Sequence, residues 1–197
     1  AVLWLGVGPA IICSLQLVFF RLVGMQQFEL WESVLALCLF FVSFFAFCSI
    51  SIDAQFLNPA LKIAGSCFVL IALLLLRSMW RGRPEMLPEF KPVAWAAWIG
   101  AMWLGLAGGY LTQGAQFSDI TVHLFATGFA FPILFIVSSQ IVGALSGSPV
   151  LSPRIACALL ICWQIVPLVR GVFAHMAVWP GFHWVLGVTA TVVFIVW

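Results

Sequence analysis

Apolar residues in this chain neither alternate nor recur on a single helical face. They run on in long blocks separated by short polar stretches, over residues 1–20, 34–52, 60–76, 93–111, 120–142, 154–173 and 182–197. A helix needs about 20 apolar residues to cross a bilayer. The first six blocks are near that length, and the last falls short of it at Trp197. A barrel would need short strands of alternating polarity, so helices, whose backbone groups are satisfied within each segment, are the spanning elements. The pattern predicts an all-α, polytopic transmembrane helix bundle, six helices plus a truncated seventh, as one domain over residues 1–197. Both ends, Ala1 and Trp197, lie inside apolar runs. The chain therefore reads as a fragment whose partners are the lipid bilayer and missing helices of the same chain.

The breaks give the organisation. Residues 22–33 hold Glu29, Trp31 and Glu32 and read as an interfacial connection. Asp53 closes the second block, and Asn58-Pro59 reads as a turn. The stretch from Arg77 to Pro92 is the most charged and predicts a water-exposed loop. Trp95 and Trp98 follow it at a position typical of headgroup-level tryptophans. Ala97, Ala101, Gly105 and Gly109 recur every four residues, a stripe on which another helix can pack closely. With these spans Arg21, Arg77, Arg81, Arg83, Lys91 and Arg154 fall on one side, against Lys62 and Arg170 on the other. That bias places the first group in the cytoplasm.

Composition agrees. Hydrophobic residues make up 64% of the chain, charged residues only 7%, and the mean hydropathy is +1.20; soluble domains carry about 25% charged residues. A net charge of +2 gives no reason to expect a nucleic-acid partner. The 6 cysteines sit in apolar blocks without a C-x-x-C pair and read as packing residues. The chain has no phosphate-binding glycine loop, dinucleotide fingerprint, H-E-x-x-H pair or nucleophile elbow. The sequence leaves open whether it is an enzyme.

Candidate chemistry gathers near the outer face. His123 lies about one turn inside the fifth block, with Thr127 four residues on and on the same face. Pro132 deprives the Gly128 carbonyl of its usual partner and predicts a kink that opens space beside the histidine. Ionisable groups in membrane segments mark functional sites by default. Neutral imidazole is the commonest protein ligand for metals and an axial ligand of haem iron. The other reading of His123 is an interfacial side chain bonded to a loop carbonyl. His175 and His183 flank the Trp179-Pro180-Gly181 turn, as candidate metal ligands facing His123 or as solvated loop residues. Arg170 needs an anionic or carbonyl partner at its depth: a haem propionate, Asp119 or Asp53, or else it snorkels to the surface.

The run His123-Leu-Phe-Ala-Thr-Gly-Phe, the run Ile133-Leu-Phe-Ile-Val-Ser-Ser-Gln-Ile and the loop Leu145-Ser-Gly-Ser-Pro resemble the C-terminal half of the NnrS family. That family consists of polytopic bacterial membrane proteins that bind haem and copper and are associated with nitric oxide metabolism, with a cadence shared by proteins similar to haem–copper oxidase subunit I. The likeness covers residues 57–197. Gln140 stands where the family often has arginine, and Ala144-Leu145 where a histidine often precedes the small-residue loop. The resemblance implies haem and copper as cofactors and carries over His123 alone as a ligand; Thr127 beside the histidine and Arg170 at a propionate are cofactor contacts read from their positions. The alternative function is a secondary transporter or permease with an outer-face polar site, its helices broken at Pro132 and Pro167.

Overall fold

A computed structural model describes residues 29–81, 91–114, 118–147 and 151–172. These residues are helical almost throughout and contain no strand. They form α1 (Leu30–Ile52), a short 3-10 turn (Ala54–Phe56), α2 (Leu57–Arg81) and α3 (Lys91–Gln113). Then come α4 (Ser118–His123), a π-helical segment (Leu124–Ala130) and α5 (Phe131–Ser146), which follow one another without a break. The last two are α6 (Pro153–Trp163) and α7 (Ile165–Val172), separated by Gln164 alone. Among the described residues there are thus five helical rods, one on each of the second to sixth apolar blocks. The blocks at residues 1–20 and 182–197 lie outside the described residues.

Three helices, Leu30–Ile50, Leu57–Arg81 and Lys91–Gln113, are long and apolar enough to cross a membrane; Ile120–Phe135 and Pro153–Val169 are apolar but shorter. α2 and α3 form the centre, with 56% and 50% of their most apolar windows buried against 17% for α1. α1 turns Leu37, Phe41 and Phe45 outward, all at least half exposed. Exposed apolar surface of this kind suits lipid or another helix, not water.

Small residues set the α2–α3 crossing. A Cβ on Gly65 would stand 2.5 Å from the Gly108 carbonyl oxygen, and one on Gly108 would stand 2.6 Å from the Gly65 carbonyl. Backbone meets backbone there, which is how helices associate where no hydrophobic force drives them together. The predicted stripe is partly displaced. Ala97 and Ala101 are buried and Gly105 faces Ala72, but nothing lies within 4 Å of a Cβ on Gly109. Gly108, one residue earlier, makes the contact instead. Gly100 faces Phe129 and Ile133 of the next rod, so α3 has small residues against two neighbours.

Several boundaries differ from those expected. α1 begins at Leu30 because Glu29 and Glu32 form a capping box, each side chain accepting from the other's backbone N–H. Asn58-Pro59 is no turn; it sits in the first turn of α2, where a missing N–H leaves no intrahelical bond unmade. α2 continues to Arg81, and the charged stretch from Arg77 is helical for its first turn.

Candidate functional site

The polar centre of the fold lies on two adjoining irregular helices. His123 ends α4 and is half-buried. From Leu124 the rod widens into π geometry, with the Phe131 N–H donating to the Ala126 carbonyl five residues back. Pro132 explains the register: it has no N–H for the Gly128 carbonyl, and its ring would crowd a regular turn. Short π segments inside α-helices, mostly single turns, occur frequently at functional sites. Thr127, within the segment, donates its hydroxyl to the His123 carbonyl at 2.7 Å.

The neighbouring rod breaks at the same level. Pro167 cannot donate to the Trp163 carbonyl four residues before it, and α6 ends at Trp163. Gln164 N–H is shared between the Leu160 and Ile161 carbonyls, and the Gln164 carbonyl accepts from Leu168. Indole donors join the irregular parts. Trp163 Nε1 donates to the Thr127 carbonyl at 2.7 Å, and its ring stacks on Phe131 with centroids 3.7 Å apart. Trp103 of α3 donates from Nε1 to the Gln164 Oε1 at 2.6 Å. A Cβ on Gly128 would stand 2.5 Å from the Trp103 Cγ. The bare face of Gly128 is therefore covered by the Trp103 ring, and the space expected beside Pro132 is filled on that side.

The structure brings His123, Thr127 and Trp163 together. Arg170 lies in α7, with its side chain outside what is described, as are the side chain of Asp119 and the whole of His175 and His183. No group of three His, Cys, Asp or Glu able to hold a metal occurs among the described residues. As a donor set for haem or copper, the described residues fit one imidazole ligand, His123. The Thr127 hydroxyl proton is engaged by the His123 carbonyl, so this side chain braces the helix just beyond His123.

A second polar cluster lies at the opposite end of the rods. Glu32 is fully buried. Arg81 donates from Nη2 to both oxygens of Glu32 and from Nη1 to Glu29. Arg77 Nε lies 3.5 Å from Glu32 Oε1, and its guanidinium carbon stands 5.3 Å from the centroid of the Trp31 ring. The Trp31 indole N–H donates to Glu29; that bond, with the nearby arginines, holds the Glu29 carboxyl below its ordinary range against the opposing effect of burial. Sequence reasoning placed these residues in separate loops. The Glu-x-x-Glu spacing signals the capping box at the start of α1, obscured because Ser or Thr usually takes the first position; nothing in the sequence pairs the two glutamates with Arg77 and Arg81.

No protein-family model matches the chain, and no curated protein or solved structure matches it either.

Proposed function

We propose that the chain is part of a bacterial inner-membrane protein, six helices and the start of a seventh, that binds haem or copper at His123 and acts in nitric oxide metabolism or response. The observation that supports this most directly is the position of His123, half-buried at the head of a π segment stiffened by Thr127 and Trp163. His123 would give one imidazole nitrogen to the metal. Haem or copper, when bound, supplies the redox and nitric-oxide-binding chemistry. Further ligands would come from His175 or His183, and Arg170 would meet a propionate. The function class rests on the NnrS resemblance.

The test is a spectrum and a metal analysis of the purified full-length protein. A Soret band or stoichiometric copper is expected, lost in His123→Ala while the variant stays folded and inserted. Full cofactor content in His123→Ala would remove His123 from the site.

A second reading, a secondary transporter, has its own support. The π segment and the Gln164 break lie side by side, bridged by Trp163 and Trp103. Transporters build substrate sites at such paired helix interruptions. Solute uptake by proteoliposomes without any Soret band or copper would favour it.

A further inference from the structure

We propose that the flank of α3 from Lys91 to Met102 is a binding site for one anionic phospholipid, with Lys91 on the headgroup phosphate and the acyl chain along Trp95, Trp98 and Met102. The proposal rests on the membrane reading and is independent of any cofactor at His123. A groove of about 400 Å³ runs along this flank, lined by Lys91, Ala94, Trp95, Trp98, Ile99 and Met102. Lys91 is its one charge, placed at the end where α3 begins, and the rest of the lining is apolar. Trp95 and Met102 are each 59% exposed, so α3 presents large apolar groups outward here while its other face packs on α2.

Length and charge select the occupant. Lys91 and Met102 are 11 residues apart in α3, about 16 Å at 1.5 Å per residue. Half of a hydrocarbon core about 30 Å thick is about 15 Å. The groove thus matches one leaflet in length, with its cation at the water end and an apolar lining below it, the polarity profile of a lipid. Trp80 of α2 packs edge-on against Trp98, centroids 6.4 Å apart, and holds that ring in place beside the groove. Basic pockets between membrane helices bind anionic headgroups by the same logic.

The full-length protein, purified in mild detergent, would be titrated with phosphatidylglycerol, phosphatidylcholine or glycerol phosphate and read by native mass spectrometry. Phosphatidylglycerol should be retained roughly fivefold better than phosphatidylcholine, the effect of one surface lysine. Lys91→Gln should erase that preference and Lys91→Arg keep it; Lys62→Gln, at the other end of the rods, should leave it unchanged. Met102→Trp, filling the groove, should lower retention of both lipids. Equal retention of the two lipids, a preference intact in Lys91→Gln, or full displacement by glycerol phosphate would each overturn the proposal, the last by assigning a free phosphate site. No effect of Met102→Trp would overturn the acyl-chain placement. Carbonate extraction of membranes tests insertion separately: release of the protein would refute the membrane reading itself.

Discussion

Gly128 shows how closely the polar centre is fitted. The residue stands opposite Trp103 in a rod already distorted by Pro132, and any side chain there must displace an indole that is itself hydrogen-bonded to Gln164. Gly128→Ala is expected to lower stability by roughly 1–3 kcal/mol, the usual range for overpacking a filled interior. Thermal unfolding in detergent measures it. In a Trp103→Leu background the same substitution should have a much smaller effect, because the obstructing ring is gone. An equal effect in both backgrounds would mean that the strain lies in the π backbone. At this scale the sequence was informative about His123, Thr127 and Pro132, each conspicuous in an apolar block. It was silent about Trp103 and Trp163, since nothing in a run of apolar letters marks which tryptophan will turn its N–H to another helix.

Elements were legible wherever hydropathy alone decides them, and less so where charge does. The apolar blocks are long enough that each described rod falls on one. The ends of α1 and α2 were misplaced because Glu32 and Arg81 looked like solvated residues, whereas the carboxylate is fully buried and grips the guanidinium. Such a pair is read from three dimensions, since its partners are 49 residues apart. It clamps the start of α1 to the end of α2, and it makes a specific energetic prediction. Removing one partner of a buried pair leaves an uncompensated charge, while replacing both with apolar groups of similar volume is often neutral. Glu32→Leu and Arg81→Leu should each lower the thermal midpoint clearly, and the double variant should be more stable than either single one. A double variant with the summed loss of both would show that the two residues act independently.

At the scale of the whole molecule the rods alternate in direction, and this sorts the charges. α1 runs antiparallel to α2, because the start of one meets the end of the other at Glu32 and Arg81. α2 and α3 are antiparallel by the Gly65–Gly108 and Ala72–Gly105 contacts. The later rods follow in turn, Gly100 meeting Ile133 and Trp103 meeting both Gly128 and Gln164. One end of the assembly therefore gathers Arg77, Arg81, Lys91 and Arg154, and the other has Lys62 and Arg170. Orientation follows the lysine and arginine count, and acidic neighbours contribute little to it, so Glu29 and Glu32 do not cancel the bias. The Lys91 end is expected to face the cytoplasm and the His123 end the opposite side. Ser146 and Gln113 are exposed at the two ends and suit a direct test. With the native cysteines replaced, Ser146→Cys in intact cells should resist a membrane-impermeant maleimide until the membrane is opened, while Gln113→Cys should react from outside at once. The reverse pattern would invert the molecule and put His123 on the cytoplasmic side. Labelling of both positions from one side would mean that α3 and the rod from Ser118 to Ser146 do not cross the membrane together, and the bundle would need another placement in the bilayer.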